Sequence, residues 1–120
     1  MLVGVGGALG SVARYWLGGV VQQVAGSSFP LGTLVVNVLG SFLIGVVMAR
    51  GLERGLVSPE ARIFMTTGFC GGFTTMSTFS YETLALLREG SELAATTNAV
   101  GTFAACVGAA WLGQLVGRIL

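Results

Sequence analysis

The chain has 120 residues, 53% of them hydrophobic and 9% charged, with no lysine, no histidine and a net charge of +1. Lack of histidine excludes a His-based catalytic triad and a His-ligated metal site. The near-neutral charge argues against electrostatic binding of nucleic acid.

A bilayer core takes about 20 apolar residues per helical span. Roughly 2–25, 31–49, 63–87 and 93–117 supply four such stretches and use most of the chain. The expectation is an all-α integral membrane protein, one four-helix transmembrane domain over residues 1–120, with no soluble domain. No catalytic constellation is present, so the chain is not expected to be an enzyme. Cys70 and Cys106 fall inside spans and read as small buried residues, not as a disulfide framework.

The first span lacks the basic start of a signal peptide and is kept as a span. It is rich in small residues, and Gly6 and Gly10 share a helix face that permits close helix approach. Arg14 lies well inside it. A charge there is costly and faces protein or water, which suits an anion-attracting vestibule; snorkelling to an interface is the plainer alternative. Gly26 to Pro30 is a turn. In the second span Thr33, Asn37 and Ser41 repeat at four-residue intervals and make one polar stripe on a helix. That stripe reads either as interhelical glue or as a pore wall offering donors to a dehydrated anion.

Arg50 to Arg62 is a hydrophilic loop, and Ser58-Pro59-Glu60 reads as a cap and first turn for the third span. The third span holds Gly71-Gly72 followed by Phe73-Thr74-Thr75, an unfavourable helix interior. A break there, near the middle of the bilayer, would leave carbonyls at the end of one half-helix and N–H groups at the start of the next. A cation suits the carbonyls. An anion suits the N–H groups and the hydroxyls of Thr74, Thr75, Ser77, Thr78 and Ser80. Phe73, Met76 and Phe79, three apart, form a ridge that is either packing or a ring edge facing an anion. Glu82 lines a vestibule or reaches the headgroups. In the fourth span Asn98, Thr102 and Cys106 repeat the stripe spacing, and Trp111 sits where an interfacial anchor belongs.

The run Gly68-Phe69-Cys70-Gly71-Gly72-Phe73-Thr74-Thr75-Met76-Ser77-Thr78-Phe79-Ser80 resembles the signature of the Fluc/CrcB fluoride channels. Gly32 to Phe42, Arg14-Tyr15 and Trp111-Leu112-Gly113 extend the resemblance over the whole chain. The resemblance implies four membrane helices with the third broken, in an antiparallel, dual-topology dimer in the cell inner (plasma) membrane. It implies passive, fluoride-selective export that relieves fluoride toxicity, and a central structural Na⁺ on carbonyls that fall on Gly71 and Thr74. It places the pore at Asn37, Thr33, Met76, Phe79, Ser77, Thr78, Ser80 and Thr102, the vestibule at Arg14 and the pore mouth at Glu82. Met76 departs from the usual phenylalanine.

With the N-terminus inside, Arg50, Arg54, Arg62 and Arg118 lie on the cytoplasmic side and Arg88 on the other. That bias leaves two partners open besides lipid and fluoride: an identical antiparallel subunit, or an oppositely oriented homologue. The competing reading is a small proton-coupled multidrug-type exporter, for which Glu82 is the only candidate carboxylate.

Overall fold

The computed structural model describes residues 1–120, and every regular element is helical. Helix α1 (Leu2–Ala25) ends where Gly26 takes a left-handed conformation, its φ of 59° being open to glycine without strain. Helix α2 (Leu31–Met48) widens at its end into a π-type turn, Ala49–Glu53. Helix α3 (Pro59–Ile63) begins at the expected cap: Ser58 Oγ accepts from the Ala61 N–H at 3.1 Å. It runs on through a π-type stretch, Phe64–Cys70, into the short α4 (Gly71–Phe73). Helix α5 (Met76–Arg88) and helix α6 (Glu92–Ile119) complete the chain.

The third expected span therefore starts four residues earlier than the hydropathy suggests, and it is interrupted. Thr74 (φ −91°, ψ 158°) and Thr75 (φ −150°, ψ 115°) are extended, so the chain leaves one helix and begins another. Two helices, Leu31–Glu53 and Glu92–Ile119, are long and apolar enough by themselves to cross a membrane. Helix α1 has the length, about 36 Å at 1.5 Å per residue, but glycines, Arg14 and two glutamines dilute its hydropathy.

Backbone contact through glycine assembles these rods. Gly6 and Gly10 of α1 lie against the main chain of Phe64 to Phe73, and Gly72 lies against Gly7. On the other side, Gly45 of α2 and Gly113 of α6 meet each other's helix in the same way. Such contacts gain dispersion energy over a long seam without burying large side chains, as helices in lipid require. Only 21 of 120 residues are buried, and bulky residues such as Leu9, Val12, Trp16, Leu93, Phe103 and Trp111 face outward. That outward apolar surface is the pattern of a protein whose solvent is hydrocarbon. The bundle is 49 Å long and 28 by 22 Å across.

Polar side chains tie the ends. Arg118 donates through two nitrogens to Glu53, at 2.7 and 2.9 Å, joining the end of α6 to the tail of α2. At the opposite end Gln22 organises the α1–α2 turn. Its Nε2 donates to the carbonyls of Ser27 (2.7 Å) and Phe29 (3.0 Å), while its Oε1 accepts from the Gly32 N–H (2.9 Å), an orphan donor of α2's first turn. Gln22→Leu strands those groups and is expected to destabilise the fold by about 1–3 kcal/mol. Thermal melting in detergent measures it; an unchanged midpoint would show that the turn holds without the amide.

Candidate functional site

The break is organised by Asn37. Its Nδ2 donates to the Thr75 carbonyl at 3.1 Å, and its Oδ1 accepts from the Thr75 N–H at 2.8 Å. One side-chain amide thus pairs with both polar groups of one residue, as a neighbouring peptide would. In a bilayer such groups have no water to turn to, so this pairing lets the chain run extended for two residues. Asn37 is 9% exposed and retains one amide proton. The sequence left glue and pore wall as alternatives for Asn37. Its bonds are to the interrupted segment of the same chain, so it braces the break, and it also lines the larger of two clefts.

Thr75 also caps the second half-helix. Its Oγ1 accepts from the Thr78 N–H at 3.2 Å and donates to Thr78 Oγ1 at 3.0 Å. Thr74 Oγ1 turns back to donate to the Cys70 carbonyl at 2.9 Å. The expected Phe73–Met76–Phe79 ridge does not form, because the break falls between its first two members. Phe73 is buried and stacks on Phe69 with ring centroids 5.5 Å apart. Met76 and Phe79 lie beyond the break on α5.

Two clefts flank the break, and Thr75 lines both. The smaller, about 190 Å³, is polar and brings together Arg14, Gln22, Thr33, Thr75, Thr78 and Glu82. The larger, about 530 Å³, is mostly apolar and carries Asn37, Ser41, Gly71, Thr74, Met76, Phe79 and Thr102. The Thr33–Asn37–Ser41 stripe is accordingly divided, with Thr33 in the polar cleft and the other two in the apolar one. Ser77 and Ser80 line neither cleft and are exposed; Ser80 Oγ donates to its own helix at the Met76 carbonyl, 2.9 Å away.

A hydroxyl has one proton, so its destination decides whether it can meet an anion. Thr74 and Thr102 have spent theirs, on the Cys70 carbonyl and on Asn98 Oδ1. Thr78 accepts from Thr75, which leaves its own proton for the polar cleft. Arg14 gives Nε to the Gly72 carbonyl at 3.0 Å, and its two terminal nitrogens make no hydrogen bond within the chain. Glu82 shares this cleft, yet the ion pair of the chain is Arg118–Glu53, and Glu82 Oε1 is buried with no partner. The polar cleft thus holds open guanidinium and hydroxyl donors beside one unpaired carboxylate oxygen.

No cluster of His, Cys, Asp or Glu could hold a metal. A cation at the break would instead meet carbonyls. Gly71 O loses its regular helical donor, because the Thr75 N–H goes to Asn37, and Thr74 O accepts no backbone bond. Oxygen ligands of this kind suit a hard cation by their chemistry. Sequence reasoning named Thr75 only as one hydroxyl among several and missed Gln22 and Thr83; their roles depend on which helices become neighbours, which spacing along one helix does not encode.

Fold and site together define an all-helical membrane protein whose polar groups gather where one helix is interrupted. The chain belongs to the family described as CrcB-like protein, Camphor Resistance (CrcB), whose model matches residues 1–114. Among curated proteins it is 48% identical over 120 residues to the fluoride-specific ion channel FluC of Geobacter sulfurreducens, covering 100% of this chain and 97% of that one. The protein of the same name from Geotalea daltonii is 45% identical over 120 residues (100% and 97% covered), and that from Chlorobaculum tepidum 47% over 119 (99% and 94%).

Proposed function

We propose that this chain is a fluoride-selective channel that lets the anion leave the cell passively and so relieves its toxicity. The observation that carries the reading is the braced break: Asn37 holds an interrupted helix open beside unspent donors on Arg14, Thr33 and Thr78. The names of the curated relatives support it. Fluoride holds water tightly, so a path for it must supply close donors in place of hydration. The guanidinium of Arg14 raises the local concentration of anion in the vestibule. The hydroxyls of Thr33 and Thr78, then the remaining Asn37 proton and the Phe79 ring edge, take over from water. No fixed positive charge stands beyond the vestibule, so binding stays weak enough for release. Glu82 stands at the mouth, and Thr102 contributes wall. Ser77 and Ser80 join the path only if a second subunit or a turn of α5 brings them to it.

The proposed unit is one four-helix transmembrane domain over residues 1–120 in the cell inner (plasma) membrane, with the break near the bilayer midplane. It works as an antiparallel dimer. Met76 and Phe103, each 71% exposed, leave one wall of the larger cleft for a second subunit to complete. The partner is an identical chain or an oppositely oriented homologue, the second favoured by the gathering of four arginines at one end. A central Na⁺ on the Gly71 and Thr74 carbonyls of both subunits would neutralise the ends of the first half-helices. The exporter reading has no support from the relatives, whose printed names are those of channels.

Fluoride efflux from liposomes, with chloride as control, tests the reading. Wild-type protein is expected to pass fluoride and hold chloride. Met76→Phe is expected to conduct, since a thioether and a ring both keep the path narrow. Phe79→Ile, which removes the ring edge, is expected to conduct less. Equal loss in both variants would remove Phe79 from the ion path, and no fluoride flux in the wild type would end the channel reading.

A further inference from the structure

Away from the break, a second run of hydrogen bonds joins α5 to α6. Asn98 is 2% exposed, the most deeply buried polar residue in the chain. Its Nδ2 donates to Thr83 Oγ1 at 2.9 Å, and Thr83 Oγ1 donates to the Phe79 carbonyl at 2.8 Å. Thr102 Oγ1 donates to Asn98 Oδ1 at 3.2 Å. The direction of the run is forced. Thr83 gives its one proton to Phe79, so its oxygen must receive, and the nitrogen of Asn98 must face α5. The oxygen of Asn98 then faces Thr102 and takes that proton. Both ends of the run reach the larger cleft, at the Thr102 side chain and at Phe79.

Little else fixes α5. It buries one residue, Leu86, and its contact with α6 is sparse beside that of α2 with α6. Apolar contacts between such helices tolerate sliding and rotation, whereas a buried amide with a forced donor direction has one satisfied setting. We propose that Asn98 is a positioning residue for Phe79: acting through Thr83, it fixes the rotation and height of α5 on α6, and with them the place of the Phe79 ring in the ion path. The consequence for conduction rests on the fluoride-channel reading; the consequence for α5 does not.

The variants are Asn98→Leu, Thr83→Val, which keeps shape and removes the hydroxyl, and Thr83→Ser, which restores it. They are compared at equal amounts of folded protein judged by gel filtration. In liposomes, Asn98→Leu and Thr83→Val are each expected to slow fluoride efflux by about tenfold, the loss of one buried hydrogen bond expressed as a rate. Chloride leakage should rise in both. The double variant should be no slower than either single one, because both cut the same run. Thr83→Ser should conduct as the wild type does. Wild-type flux in Thr83→Val, or losses that multiply in the double variant, would overturn the proposal.

Spin labels at the exposed positions Tyr81 and Trp111, with Cys70 and Cys106 replaced by alanine, read the setting of α5 on α6 directly. Their distance distribution should broaden in Thr83→Val and stay narrow in Thr83→Ser. If wild-type protein passes no fluoride, the channel reading fails while this measurement still decides the role of Asn98: an unchanged distribution in Thr83→Val overturns it.

Discussion

Asn37→Leu is expected to stop fluoride efflux, with a loss of about a hundredfold or more. Leucine fills a similar volume but leaves the Thr75 N–H and carbonyl, now paired at 2.8 and 3.1 Å, without partners. Each orphaned group costs about 1–3 kcal/mol, and about 1.4 kcal/mol is a tenfold change in rate. The chain is expected to relieve this by closing the break, handing the Thr75 N–H back to the Gly71 carbonyl in a regular helical bond. That would remove an oxygen from the proposed cation site and turn Met76 and Phe79 out of register. Asn37→Asp separates the two roles of the side chain. A carboxylate still accepts from the Thr75 N–H, but it cannot donate to the carbonyl and it repels an anion. It should therefore keep more of the melting temperature than leucine does while losing conduction as fully. Efflux from Asn37→Leu liposomes at the wild-type rate would show that the asparagine is neither brace nor donor.

The second large effect concerns assembly. A Cβ on Gly10 would run into the Phe69 carbonyl and crowd the Phe73 N–H, both fixed main-chain atoms of the first half-helix. Side chains can rotate away from an intruding methyl, but a hydrogen-bonded backbone has nowhere to go, so α1 must separate from the 59–73 segment. Gly10→Ala is expected to destabilise by more than the usual overpacking cost of about 1–3 kcal/mol. It should lower both the yield of folded protein and the melting temperature. Gly4 stands on the same helix with open space around it. Gly4→Ala should be neutral, or stabilising by about 1 kcal/mol from helix propensity alone. Equal behaviour of the two variants would mean that the glycine seam does not hold the helices together.

The interrupted third span was legible in the sequence, and the expected interruption, 71–75, contains the observed one; which of those residues leave the helix was not legible. Gly71-Gly72 and the two threonines after Phe73 all make a poor helix interior, and the sequence does not separate them. In the structure both glycines stay helical, Gly72 lying against the main chain of Gly7, and the extended residues are Thr74 and Thr75. Glycine serves close approach here, and the break falls where a neighbouring amide can pair with the exposed peptide. The Ser58 cap was legible too, since a cap bonds within four residues of itself. The pairing of Asn37 with Thr75, 38 residues on, was not.

By itself the sequence determined an apolar helical protein with its polar residues set in stripes, a third span whose centre disfavours an unbroken helix, and the resemblance to a channel family. Those properties follow from composition and from short-range periodicity, which every residue carries with it. Only the tertiary structure decided which stripe residues share a cleft, and which donors are already spent. Thr78 keeps its proton for the polar cleft, while Thr74 and Thr102 have given theirs to Cys70 and Asn98. A hydroxyl proton goes to the nearest well-placed acceptor, and that acceptor is chosen by how the helices pack.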